Sequence, residues 1–269
     1  MGRQALGHQT LDHQAVAKLT EFIANSVENA QAHEKPFYHL QFTRVFPDDI
    51  YAAMLREMPV STDYRALPGR DNVNILDDGS ATRVKIDLFP EYIRRLPKQK
   101  RELWDVVGRA LCANEVRDAF VRRLAPALER RFGPEYGDVG MFPIPILTRD
   151  VPKYKITPHT DTKWKGITVQ FYLPPDDTTN DIGTIFHEKL PDGSMPKAKK
   201  MPFSPNSGYA FAVGSDSWHS ADPVGPHVKT RDSILHTYFV DQGLLRILRN
   251  RGRRVGNFVT NEVRGLVRR

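Results

Sequence analysis

His159 and Asp161 stand two residues apart in Tyr154-Lys-Ile-Thr-Pro-His-Thr-Asp161, a spacing that sends both side chains to the same face of an extended chain. An imidazole and a carboxylate presented together can fill two positions on a divalent metal. Trp218-His219-Ser220 offers a second imidazole sixty residues on. Two histidines and one carboxylate on one face of an octahedral ion leave the opposite face open, an arrangement suited to Fe(II) that must also bind other groups. Twelve residues after His219, Arg231 opens the apolar run Ser233-Ile-Leu-His-Thr-Tyr-Phe239. A guanidinium buried at such a strand start needs an anionic partner, and a dicarboxylate would be one.

In the order His-x-Asp, distal His, then Arg, the sequence resembles the 2-oxoglutarate- and Fe(II)-dependent oxygenases, in particular their prolyl-hydroxylase-like branch. Ile167-Thr-Val-Gln-Phe-Tyr-Leu173 is similar to the family strand whose Thr and Tyr reach the cosubstrate, and Ile182-Gly-Thr-Ile-Phe186 to the strand after it. The resemblance spans residues 140 to 240. It implies that His159, Asp161 and His219 are the metal ligands and catalytic centre. It implies that Arg231 pairs with the 5-carboxylate of 2-oxoglutarate, that Tyr172 donates to the same carboxylate, and that Thr168 and Ser233 lie beside it. The cofactors are then Fe(II), 2-oxoglutarate and dioxygen, with succinate and CO2 as by-products.

Plainer readings exist for each residue. A bare His-x-Asp arises by chance among nine histidines, Arg231 could be a surface arginine after a loop, and Thr168 and Tyr172 suit core packing. The four-residue order in one stretch is harder to obtain by coincidence. The function expected is hydroxylation of a small metabolite or biosynthetic intermediate. Prolyl or other peptide hydroxylation is the alternative enzyme reading. A non-enzymatic metal-binding jelly roll, or a nucleic-acid-associated protein acting through its tail, are the alternatives from other classes.

Lys153, Lys155, Lys163 and Lys165 bracket the motif, with Trp164 between the last two. They read first as a solvated strand edge guarded by lysines. As a cationic rim they would instead recognise a carboxylate, phosphate or sulfate on an anionic small-molecule substrate. Lys163, Trp164 and Arg149, on the preceding strand, are the substrate-contact candidates. His187, His227 and His236 lie near the motif strands without a second ligand at metal spacing, and read as structural hydrogen-bonded residues.

Positioning these groups requires a β-rich core. Short apolar strands with turn signals follow one another around 143–149, 154–159, 166–173, 182–187, 208–213, 219–223 and 232–240, as in a jelly roll. The fold expected is mainly β with α: a double-stranded β-helix (jelly-roll, cupin-like) core with N-terminal supporting helices. Helices are predicted over 11–31, from Pro47 to Pro59, over 99–111 and over 114–132, the last bent near Pro126. Strands are predicted at 37–42 and 83–88. Residues 61–82 read as a loop that folds over the site, and Lys189–Lys200 as an exposed insertion. The organisation expected is a helical and strand part over 1–138 packing on the core, a catalytic jelly roll over 139–240, and a basic segment over 241–269.

The 269 residues, 40% hydrophobic and 26% charged, are ample for one buried core. The single cysteine, Cys112, excludes an internal disulfide and a cysteine-based zinc site. No stretch has signal-peptide character or transmembrane length, so a cytoplasmic location and no membrane span are expected. The net charge of +7 is concentrated at the C-terminus, where eight arginines stand against Asp241 and Glu262. The body is near neutral, which argues against a nucleic-acid partner. Apolar residues interleaved with the tail arginines, and a short helix at Leu244–Leu248, suggest a segment packed on the domain. The oligomeric state is not readable.

Overall fold

The computed structural model describes residues 2–67 and 74–241, with side chains from residue 12 onward. The basic segment, its helix at Leu244–Leu248, and residues 68–73 of the expected loop lie outside the described residues.

From Met141 the chain lays down eight strands: β5 (Met141–Asp150), β6 (Ile156–His159), β7 (Lys165–Tyr172), β8 (Gly183–His187), β9 (Lys197–Pro202), β10 (Gly208–Ala212), β11 (His219–Ala221) and β12 (Arg231–Val240). Four further strands lie nearer the N-terminus. Two antiparallel sheets share them. One has the order β10-β7-β12-β5 at its centre, and the other is β6-β11-β8-β9. Successive strands switch sheets except β8 and β9, which pair with each other, and the last strand returns between the first and third. That is jelly-roll topology, as expected.

Strands from the first third of the chain widen the first sheet on both sides. β1 (Gln31–His33) and β2 (His39–Phe42) cover the β10 edge, while β3 (Arg65–Ala66) and β4 (Arg83–Asp87) cover the β5 edge. An edge that would otherwise expose unpaired backbone groups is thereby closed.

Helices cover the outer face of the eight-stranded sheet. They are α1 (Gly2–Glu28), α2 (Asp48–Arg56), α3 (Pro90–Ile93), α4 (Lys98–Leu111), α5 (Asn114–Arg123) and α6 (Ala125–Phe132). Asp48 and Asp49 sit in the first turn of α2, where the partial positive end of a helix favours carboxylates. Pro126 falls in the first turn of α6, so the predicted bend is a break into two helices. Leu19, Ile23 and Val27 of α1, Trp104 and Val107 of α4, and Phe120 of α5 pack with Ile167, Val169, Phe171 and Ile234 of the sheet. Each such side chain, fully buried, stabilises by about 1.5–3 kcal/mol.

A second core lies between the two sheets, built from Phe37, Tyr154, Tyr172, Phe186, Met201, Tyr209 and Phe211 among others. Strand alternation thus divides β7: Ile167, Val169 and Phe171 face the helices, and Thr168, Gln170 and Tyr172 face the jelly-roll interior.

One expectation is corrected. Lys197–Pro202, read as part of an exposed insertion, is strand β9 at the edge of the four-stranded sheet. Its outward lysines gave it the composition of a loop, and only Lys199 and Met201 turn inward.

Candidate metal centre

His159 ends β6 and His219 begins β11, directly opposite each other in the antiparallel ladder. Their ring centroids are 4.4 Å apart. Asp161 lies two residues past β6, and the ligand atoms of the three side chains lie within 4.8 Å of one another. Among the described residues this is the one group of His, Cys, Asp or Glu with metal-binding geometry.

The local hydrogen bonds prepare each group as a ligand. Nδ1 of His159 lies 2.9 Å from the Thr157 carbonyl, and Nδ1 of His219 lies 3.0 Å from the Ser217 carbonyl. A carbonyl only accepts, so each Nδ1 carries the proton and each Nε2 is left with its lone pair. Burial, with the neighbouring His159, lowers the His219 pKa to about 4 against the pull of Asp161, so this imidazole is neutral at pH 7.

Asp161 is anchored on both oxygens. Lys165 Nζ donates to Oδ1 at 2.5 Å, and Thr168 Oγ1 donates to Oδ2 at 2.6 Å. Burial alone would raise its pKa, but Lys165, His219 and these two hydrogen bonds hold the carboxyl well below the usual range. Each oxygen accepts one hydrogen bond, so a lone pair remains for a cation.

Arg231, at the start of β12, is fully buried and pairs with Asp150, the residue opposite it on β5. Nε and Nη2 donate to Oδ2 of Asp150 at 3.1 and 2.9 Å. Arg83 binds the same carboxylate, with Nε at 2.5 Å from Oδ1 and Nη2 at 2.9 Å from Oδ2. Both guanidinium groups lie over Tyr154, at 4.2 Å for Arg83 and 5.2 Å for Arg231. The buried Arg231 and the partly buried Arg83 therefore share one anion, and Nη1 of Arg231 is buried without a hydrogen-bond partner. A further carboxylate would satisfy both deficits.

The remaining expected residues are distributed as follows. Thr168 is on Asp161, as above. Tyr172 donates to Thr184 Oγ1 at 2.7 Å, and its ring lies within electrostatic reach of Arg231. Ser233 joins a buried chain that sequence reasoning missed: Tyr209 donates to Gln170, whose amide donates to Ser233, which shares a hydrogen bond with Thr148. Arg149 does not join the interior. Alternation places it opposite Thr148 and Asp150, where it pairs with Asp232 at 2.6 Å and stacks over Tyr64. Lys163 and Trp164 are exposed beside the triad. Lys165, read as part of a solvated edge, is instead an anchor of Asp161. Its proximity in sequence to the motif was the only available signal.

No protein-family model matches the chain, and no curated protein matches it. Among solved structures, the chain is similar to a prolyl-4-hydroxylase of Pseudomonas putida, with a TM-score of 0.48 and 14% identity over 82% of this chain and 99% of that one. It is similar to a prolyl hydroxylase of Trichoplax adhaerens bound to a hypoxia-inducible-factor peptide fragment, with a TM-score of 0.48 and 12% identity over 86% and 93%. It is also similar to a non-haem α-ketoglutarate-dependent epimerase of nogalamycin biosynthesis, with a TM-score of 0.46 and 12% identity over 84% of each chain.

Proposed function

We propose that the chain is a non-haem Fe(II)- and 2-oxoglutarate-dependent dioxygenase that hydroxylates a small metabolite or biosynthetic intermediate. The observation that carries the reading is the His159–Asp161–His219 cluster, with both imidazole Nε2 atoms free and the carboxylate pre-anchored. Two nitrogens and one oxygen are the donor set for Fe(II) with positions left open. Bound there, Fe(II) with 2-oxoglutarate and dioxygen would supply the oxidising power, with succinate and CO2 released.

The chain's own contribution is placement. His159, His219 and Asp161 hold the ion, and Thr168 and Lys165 fix the carboxylate's orientation. Arg231, with its unpartnered Nη1 and the excess charge shared with Arg83, receives the distal carboxylate of 2-oxoglutarate. The aromatic interior around Phe186 and Phe211 excludes water beside the triad. The test is 2-oxoglutarate-dependent succinate release with Fe(II) across a panel of metabolites and peptides, alongside Mn(II) binding to the metal-free protein. No Mn(II) binding at the triad would end the reading, and turnover of peptides alone would replace the substrate class.

A further inference from the structure

Directly opposed residues on adjacent strands share a face. Across the four-stranded sheet, register aligns His159, His219, Phe186 and Lys199 in one row. Across the facing sheet it aligns Thr168, Phe211, His39 and His33. The rows meet side chain to side chain. Thr168 bonds Asp161, Phe211 lies 5.0 Å from His219, and His39 lies 4.8 Å from Phe186. At the far end burial lowers the His33 and His39 imidazoles, and the positive charge of Lys199 lowers them further. Two strand spacings separate Lys199 from His219, roughly 10 Å.

That far end is chemically incomplete. Lys199 is partly buried, and burial lowers its ammonium pKa, yet no carboxylate of the described residues pairs with it. Its neighbour Lys200, pointing the other way, is satisfied by Asp222 at 2.9 Å and the Asp181 carbonyl at 2.6 Å. His39 is wholly buried, and its Nδ1, 2.7 Å from the Phe37 carbonyl, must carry the proton. Its Nε2 is therefore an acceptor, and it has no partner. His33 stacks on it with centroids 5.1 Å apart, and its Nε2 is likewise buried and unpartnered. The His33 ring also has a hydrogen bond with the Gln41 side chain. A buried acceptor without a donor, as on His39, is uncommon and costly. A cation lacking an anion, beside an acceptor lacking a donor, defines a ligand.

We infer that Lys199, His39 and His33 form a subsite for an acidic group that carries its own hydrogen-bond donor, such as a hydroxy acid or a phosphate monoester. This rests on the proposed function in one respect: the acidic group belongs to the molecule oxidised at the triad, several bonds from the reacting carbon. Lys199 takes the anionic oxygen, His39 Nε2 accepts from the adjacent O–H, and His33 Nε2, buried beside it, completes the lining. A simple carboxylate satisfies only the lysine.

The experiment follows the ring-nitrogen NMR signals of His33 and His39 in the full-length protein during titration with inorganic phosphate, glycolate or acetate. Phosphate and glycolate both pair an anionic oxygen with an O–H, and whichever binds more tightly identifies the source. Saturable shifts with at least one of them, weaker with acetate, are expected. Lys199→Met should weaken binding roughly tenfold or more, the loss of a charge-assisted hydrogen bond. Lys199→Arg and the outward Lys197→Met should retain it. Absence of any saturable shift, or undiminished binding by Lys199→Met, overturns the subsite. An acetate response equal to the others removes the requirement for a donor. Mn(II) broadening of the His159 and His219 signals is recorded on the same samples. Mn(II) binding without anion binding sinks the subsite alone, whereas anion binding without Mn(II) sinks the oxygenase reading and the link to its substrate.

Discussion

His159 and His219 face each other across the β6–β11 ladder with ring centroids 4.4 Å apart, and each donates its Nδ1 proton to the carbonyl two residues before it. Orientation and tautomer are thus fixed by the strands before any ion arrives. Replacing either ring by alanine should abolish tight Mn(II) binding, at a cost exceeding the roughly 10–100-fold typical of losing a group behind a ligand. Calorimetric titration measures the affinity, and circular dichroism checks that the sheets survive. A His219→Ala protein that bound Mn(II) as the parent does would remove the metal centre.

Thr168 reaches Asp161 from the neighbouring strand and holds Oδ2 at 2.6 Å. Thr168→Val keeps the shape and deletes the hydroxyl. Metal affinity should fall by roughly 10–100-fold while the melting temperature changes little. Unchanged affinity would show that Lys165 alone suffices to orient the carboxylate.

Lys165 acts on the other oxygen of Asp161 and is a cation beside a site for a cation. Lys165→Met should therefore tighten Mn(II) binding, by roughly fivefold, because the metal no longer competes with an ammonium. The side chain is partly exposed, which keeps the effect near 1 kcal/mol. Weaker binding in this variant would recast Lys165 as a support that the site cannot lose.

Ligand types made the triad legible in sequence, since histidine and aspartate at strand spacing carry their meaning locally. The eight jelly-roll strands were legible too, except β9, whose outward Lys197 and Lys200 imitate a loop. What escaped depends on register between distant segments. Asp150 meets Arg83 and Arg231 from 67 and 81 positions away, and nothing near Asp150 announces two arginines. Lys199 reaches the row of His219 only through the pairing of three strands. Arg149 differs by alternation alone: a one-residue step along β5 turns it to the other face, onto Asp232.

Arg231 should govern 2-oxoglutarate affinity. Its Nη1 has no partner in the chain, so an incoming carboxylate forms a charge-assisted contact of about 1.5–3 kcal/mol. Arg231→Lys keeps a charge for Asp150 and loses the planar fork, and should weaken 2-oxoglutarate binding to the Mn(II) protein tenfold or more. Mn(II) binding itself should be unaffected. Equal cosubstrate affinity in this variant would leave Arg231 with a structural role only.

Asp150 ties stability to pH. Complete burial pushes its pKa up, but Arg83 and Arg231 outweigh that and hold the carboxyl below its usual range. The folded value is lower than the unfolded one, so the unfolded chain binds more protons between the two. The stabilisation is complete above the unfolded value of about 4 and is lost as pH falls through the folded value. Asp150→Asn leaves the buried Arg231 and the partly buried Arg83 without their anion and should cost about 3–5 kcal/mol at pH 7. Urea unfolding of parent and variant from pH 7 downward measures the difference. The gap should persist to the ordinary aspartate range and narrow below it, because the parent is then protonating the same carboxyl. A gap that stayed constant to the acid limit would mean that geometry, and not the charge on Asp150, accounts for the loss.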